Sequence, residues 1–226
     1  MYGKADHDRV HAAIAAAERR TSGEIVCIVA RESGQYREVT FAWAAAVALL
    51  APPAALVAGL RPAFLAAGQP QDGGWIVNHA GGLGGAPAIL AGYALVQLVL
   101  FLAALVAFSV PAVRQIVTPG RLKTAHVHAR AVEQFAHRLH GATGRTGVLI
   151  FASLAERRVQ IVADQAIHAK VGEPVWNEAV AQALTRMKTG DVAGGLIAAV
   201  ETCGEALAEH FPADDRGPGA GEVAEI

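Results

Sequence analysis

The sequence predicts an α/β domain with a mixed sheet, split by a two-helix transmembrane hairpin. Two long uncharged apolar stretches, residues 39–60 and 88–113, lie in the first half of the chain. On either side of them, short apolar runs alternate with segments of helical periodicity, an order typical of α/β domains. The two stretches therefore interrupt one domain between its first and second strands.

Both stretches are long enough to cross a bilayer. As helices they would span about 33 Å and about 39 Å, against a hydrocarbon core of about 30 Å. Pro52 and Pro53 interrupt the first stretch, so a re-entrant or shallow segment is the alternative there. No charged side chain lies inside either stretch, so the sequence marks no ion or proton pathway.

Arginine and lysine at the flanks predict the orientation. These residues lie before the first stretch and after the second. The glycine-rich connection at 61–87 contains one arginine, Arg61, and no lysine. This bias predicts an inner-membrane, multi-pass protein with both termini in the cytoplasm. Part of this charge would form a membrane-facing basic collar, with the opposite end of the domain facing the cytoplasm. The predicted collar is Arg31, Arg37, Arg114, Arg121, Lys123, Arg157 and Arg158.

Composition narrows the class of protein. The chain has 226 residues, of which 53% are hydrophobic, and its net charge is -1. No excess of positive charge is available to recruit nucleic acid. The polar start lacks the apolar core of a cleavable signal peptide, so the first stretch is expected to act as its own insertion signal. Cys27 and Cys203 form no metal or redox pattern and are predicted to be buried free thiols.

Periodicity and capping signals place the other elements. Helices are predicted over 6–20, 121–140, 173–190 and 191–208. Strands are predicted over 24–30, 147–154 and 159–164, with the last two joined as a hairpin. The predicted organisation is a split domain at 1–38 and 114–212, membrane helices at 39–60 and 88–113, an outer loop at 61–87 and a disordered tail at 213–226.

Several strings resemble the TPM domain family, in particular its small bacterial integral-membrane members. They are Thr21–Val26, Arg145–Arg158, the Val-Ala-Asp that ends at Asp164, and Trp176. The resemblance covers about residues 6–30 and 121–212. It implies a compact Rossmann-like α/β domain. For plant thylakoid members it implies acid phosphatase activity, photosystem repair and calcium binding, and for animal relatives a role as receptor accessory proteins.

One edge of the predicted sheet carries acidic side chains. If the first two strands are parallel and the third is antiparallel, Glu24 and Asp164 lie at the same end, about 10 Å apart, with Arg145 beside them. Two carboxylates there could bind a divalent cation such as Ca²⁺. The alternative is a surface salt network bridged by Arg145.

Other polar groups give weaker signals. His7 with His11 and His137 with His140 could each share a helix face, but no third ligand is fixed by the sequence. The turn Glu156–Arg158 could recognise phosphate through its arginines, or be a solvated turn or a headgroup contact.

Two functions follow from these patterns. The first is a non-enzymatic membrane-anchored module that binds lipid and other membrane proteins, because no complete catalytic constellation is visible. The second is a divalent-metal-dependent, acid phosphatase-like hydrolase that uses Glu24 and Asp164, with Ca²⁺ as the candidate cofactor.

Overall fold

The computed structural model describes residues 3–34, 36–60, 86–139, 147–213 and 222–225. The chain forms two compact units. The first unit is Met1–Gln35 with Pro119–Ile226, and the second is Tyr36–Thr118. The first unit is thus formed by two segments that flank the second unit in the sequence.

The first unit contains a mixed four-stranded sheet within its described residues. Its strands are β1 (Glu24–Ala30), β2 (Gly147–Ser153), β3 (Arg158–Ala163) and β4 (Glu222–Glu225). They are ordered β3-β2-β1-β4. Strand β1 is parallel to both β2 and β4, and β3 is antiparallel to β2. The apolar runs of β1 and β2 are nearly continuous because both strands are interior and covered on both faces.

Two of the described helices of this unit begin at a side-chain cap. They are α1 (Lys4–Glu18), α5 (Gly120–Leu139), α6 (Gln165–His168), α7 (Glu173–Lys188) and α8 (Val192–His210). Helix α6 is capped by Asp164, whose Oδ1 accepts from Ala166 N at 3.2 Å. Helix α8 is capped by Asp191, whose Oδ1 accepts from Gly194 N at 2.8 Å. Such caps satisfy amide groups that have no partner within the helix.

Alternate residues of β1 enter two different apolar clusters. Ile25, Cys27 and Val29 belong to a large cluster that also takes side chains from α1, α7 and α8. Val26 and Ile28 belong to a second cluster, to which α5 contributes Val127 and Ala131. Because side chains alternate along a strand, the two clusters lie on opposite faces of the sheet. The unit is thus an α/β fold with helices on both faces.

The second unit contains three described helices, α2 (Arg37–Val57), α3 (Ala86–Ser109) and α4 (Pro111–Val117). Helices α2 and α3 pack together. The buried residues of α2 include Thr40, Ala44, Ala48 and Pro52, a spacing of four residues that lies along one face. These small side chains allow a close approach between the helices.

Two helical segments of this unit are long and apolar enough to cross a membrane by length and composition, Arg37–Val57 and Leu90–Ser109. Helix α2 runs on through Pro52 and Pro53 without a break. In the most apolar window of the second segment, 6% of the residues are buried.

Several predicted boundaries are wrong. The second apolar helix ends at Ser109, not at residue 113, because Val110 is extended and Pro111 opens α4. The first helix begins at Lys4 rather than at residue 6, since Asp6 lies within its first turn and accepts from Gly3 N at 3.1 Å. Helix α6 was not predicted.

The predicted disordered tail at 213–226 is wrong for β4. Glu222–Glu225 pair with Val26–Val29 of β1 because that strand offers an otherwise open edge of backbone groups. The outer loop predicted at 61–87 falls mainly on residues 61–85, which lie outside the described residues.

Candidate functional site

Strand register places Glu24 and Asp164 at the same end of the sheet. Glu24 is paired with Gly147 at the start of β2. Asp164 N donates to Gly147 O at 3.0 Å, on the other side of that strand. The two acidic residues therefore flank one glycine, separated by two strand spacings, or about 10 Å. Arg145, which was expected beside them, lies outside the described residues.

The two carboxylates differ in their partners. Asp164 Oδ1 caps α6. Glu24 Oε2 is buried and has no hydrogen-bond partner among the described residues. A buried carboxylate oxygen without a partner is costly, so it favours a cation or a donor at this position.

This edge does not by itself complete a calcium centre. Ca²⁺ takes six to eight oxygen ligands, as a rule. Within the described ranges, no group of three or more His, Cys, Asp or Glu side chains is placed to hold a metal ion. The predicted histidine pairs do not change this result, since His7 and His11 lie on α1, His137 lies on α5, and His140 is outside the described residues.

The opposite end of the sheet contains a buried carboxylate, Glu156, which is 7% exposed. Its Oε1 and Oε2 accept from Ser33 N at 3.3 and 3.2 Å. The hydroxyl of Ser153 donates to its Oε2. Glu156, in the turn between β2 and β3, thus links this turn by hydrogen bonds to the segment that follows β1.

Backbone pairing continues the same connection. Leu154 N donates to Ala30 O, and Ala155 N donates to Arg31 O, both at 3.0 Å. On the other side of the turn, the Arg158 guanidinium donates to Gly120 O at 3.2 Å. The turn therefore holds both the segment after β1 and the first residue of α5.

We expect Glu156→Ala to loosen this connection. The substitution leaves the half-buried Ser33 amide and the buried Ser153 hydroxyl without this acceptor, which costs about 1–3 kcal/mol of unfolding free energy. Hydrogen exchange at the Ser33 amide should accelerate, whereas Glu156→Gln keeps an acceptor oxygen and should change it less. Unchanged exchange and an unchanged denaturation midpoint in Glu156→Ala would contradict this role.

The predicted basic collar divides between the two units. Arg31, Arg121, Lys123, Arg157 and Arg158 belong to the first unit. The contacts of Arg31 and Arg158 with the turn and with α5 place these two at the end of the sheet away from Glu24. Arg37 and Arg114 belong to the second unit, on α2 and α4. A membrane-facing role of the collar stays a prediction.

Both cysteines are free and buried, with Cys27 on β1 and Cys203 on α8. Burial raises the pKa of the Cys27 thiol far above its ordinary value, and the nearby Cys203 and Glu18 raise it further. Burial also raises the pKa of Cys203 to about 12. Both thiols are therefore held protonated at neutral pH, as is typical of buried structural cysteines.

Their pKa values predict a loss of stability in alkali. The folded thiols keep their protons, whereas the unfolded chain releases them above about pH 8.5, so the free energy of unfolding falls as the pH rises. We expect a slope of about 1.4 kcal/mol per pH unit for each thiol in that range. Denaturant unfolding at several pH values would measure it, and Cys203→Ala should roughly halve this contribution. An identical slope in the variant would contradict the assignment.

Sequence reasoning missed two buried acidic groups. Glu18 is 2% exposed and accepts from Ile25 N at 2.9 Å. Its position four residues after Ile14, on the apolar stripe of α1, was a usable signal. Glu156 gave no such signal, because its partner Ser33 is distant in the sequence.

The fold defines a small α/β domain with helices on both faces of a mixed sheet. Residues 115–206 match the family model described as TPM domain, TPM_phosphatase. The predicted resemblance to this family is confirmed over that segment. The match does not extend to residues 6–30, which also carried the resemblance.

A solved structure supports the fold. The chain is similar to the NMR structure of BA42 protein from the psychrophilic bacteria Bizionia argentinensis sp. nov., with a TM-score of 0.51 and 16% sequence identity. The similarity covers 98% of this chain and 94% of that chain. No match was found among curated protein sequences.

Proposed function

We propose that this protein is a membrane-anchored module that binds or stabilises other membrane proteins through its TPM-like α/β domain. The exposed apolar surface of α3 is the observation that carries the membrane-anchored part of this proposal. Leu95 is 60% exposed, Leu98 54% and Val106 71%. In water such a surface would be strongly unfavourable, whereas in lipid it would be the ordinary surface of a spanning helix.

Helix α2 supports the same proposal. It turns small side chains toward α3 and exposes large ones, including Leu49 and Leu50. Polar groups near one end of the pair have partners. Thr40 Oγ1 donates to Phe108 O at 3.4 Å, and the Trp43 indole N–H donates to Val117 O at 3.3 Å. An indole at this position suits a membrane–water interface.

The proposed location is the inner membrane, with both termini in the cytoplasm. The arginines that flank α2 and α3 support this orientation through the positive-inside bias. Lipid headgroups are the proposed partners of the basic collar, and other membrane proteins are the proposed partners of the domain.

Affinity purification from membranes in mild detergent tests the accessory role. Proteins that co-purify with the full chain, and that are lost when the α/β domain is disrupted by Ile28→Asp, would support it. Ile28 is fully buried on β1, so this change removes the domain's fold. If the wild-type chain and the Ile28→Asp variant co-purify with the same proteins, the α/β domain is not the binding element.

The second candidate function is a divalent-metal-dependent, acid phosphatase-like enzyme. The unpartnered Glu24 Oε2 favours it, with Asp164 at the same end of the sheet. Metal analysis and a phosphatase screen with Ca²⁺ would test it. Glu24→Gln and Asp164→Asn should abolish any metal-dependent turnover, and turnover unaffected by both would remove these residues from the mechanism.

A further inference from the structure

Helix α4 follows the second apolar helix and contacts the first. Val110 is extended and Pro111 opens α4, so the chain changes direction where α3 ends. At the other end of α4, Val117 O accepts from the Trp43 indole N–H at 3.3 Å. Trp43 lies in the second turn of α2, and its ring centroid is 6.2 Å from that of Phe108, near the end of α3. Helix α4 therefore lies beside one end of the α2–α3 pair.

The polarity of α4 is the reverse of that expected for a helix on a surface in water. Ala112 and Ile116 share one face and are exposed, and Ile116 is 83% exposed. Arg114 and Gln115 are half-buried, and the Nε of the first and the Oε1 of the second are shielded from solvent. In water an amphipathic helix turns its apolar residues inward and its polar residues outward. The outward face of α4 therefore suits an apolar environment.

The position of α4 indicates which apolar environment this is. Helix α2 begins at Arg37 and α3 ends at Ser109, so two helices of membrane-spanning length terminate beside α4. Other large apolar side chains at this end are also exposed, with Phe41 and Val110 each at 48%. In a bilayer the ends of spanning helices lie at the boundary between acyl chains and headgroups.

We propose that α4 is an interfacial helix, whose outward face with Ala112 and Ile116 lies between the headgroups and the acyl chains of the bilayer. Interfacial helices bury their apolar face at this depth. Helix α4 then fixes the depth of the adjoining end of α3, as interfacial anchors do for spanning helices. The inference rests on the proposed function for the location of α2 and α3 in a membrane.

Spin labels on single introduced cysteines test the position of α4 in the full chain. Ile116→Cys reports on α4, Leu98→Cys on the middle of α3, and Thr185→Cys on an exposed polar position of α7. Cys27 and Cys203 are both 0% exposed, so the chain without an added cysteine is the blank. The proteins are placed in vesicles of phosphatidylcholine and phosphatidylglycerol. For each label, accessibility to oxygen, which concentrates in lipid, is divided by accessibility to a water-soluble nickel complex.

The oxygen-to-nickel ratio at Ile116 should be several-fold higher than at Thr185. Equal ratios at these two positions would overturn the proposal. In that case a high ratio at Leu98 would leave the spanning role of α3 intact, whereas a low one would remove the membrane anchor as well. A high ratio at Ile116 with a low one at Leu98 would support the interfacial helix and contradict a spanning α3.

A substitution at Ile116 provides the second comparison, read by a label at Ala112→Cys on the same face of α4. Ile116→Asp removes most of the apolar surface on this face, so the oxygen-to-nickel ratio at Ala112 should fall several-fold. Ile116→Leu keeps that surface and is the matched control. Equal ratios at Ala112 in the aspartate and leucine variants would overturn the anchoring of α4 by Ile116.

Discussion

Arginine in place of Leu95 and Leu98 is expected to release the chain from the membrane fraction. Both leucines lie near the middle of α3, and both are more than half exposed. An arginine at the centre of a spanning helix costs about 2.5–3.5 kcal/mol on the insertion scale, so two cost about 5–7 kcal/mol. That is enough to reverse the insertion of a helix with few other anchors.

Sedimentation after an alkaline carbonate wash measures this effect. The wild-type chain should remain in the pellet, and the double variant should move to the supernatant or be degraded. Val132→Arg adds one arginine on the exposed surface of α5 and should stay with the membrane. A wild-type chain that the carbonate wash extracts would show that the helices do not cross the bilayer, and a double variant retained as firmly as wild type would contradict the expected release.

Three strands of the first unit, β1, β2 and β3, could be predicted because their signals are local. The runs at 24–30 and 147–153 are almost entirely apolar, as interior strands covered on both faces require. The hairpin followed from the charged turn before Arg158. By contrast, β4 has only two apolar residues between two glutamates, and its pairing depends on an edge formed by residues nearly two hundred positions earlier.

In the candidate site, too, some features could be predicted from the sequence and others could not. The strand order was enough to bring Glu24 and Asp164 to one end of the sheet, because parallel and antiparallel pairing fix where each strand begins and ends. The capping role of Asp164 depends on helix α6. This helix has four residues, too few to show a helical repeat of apolar residues in the sequence. The Glu156 contacts depend on where the chain leaves β1, and no local pattern encodes that path.

The position of β1 makes the domain dependent on the segment before the inserted unit. Strand β1 lies between β2 and β4, and Ile25, Val26, Ile28 and Val29 are at most 3% exposed. Full burial of one such side chain stabilises a fold by about 1.5–3 kcal/mol, so these four contribute about 6–12 kcal/mol. That contribution is comparable with the whole net stability of a typical domain, about 5–15 kcal/mol.

Residues 115–212 expressed alone are therefore expected to aggregate rather than fold, even though they include the whole segment that matches the TPM domain. The matched control is residues 1–34 joined by a short glycine–serine linker to residues 119–226, which reproduces the first unit without the inserted helices. The linker can be short, because the Ala30, Arg31 and Gly120 carbonyls all accept hydrogen bonds from the segment Leu154–Arg158. Size-exclusion chromatography and thermal unfolding should show a monomer with one cooperative transition for the joined chain only. A cooperative monomer formed by residues 115–212 alone would refute the dependence on β1, because the sheet would then be stable with that edge of β2 open.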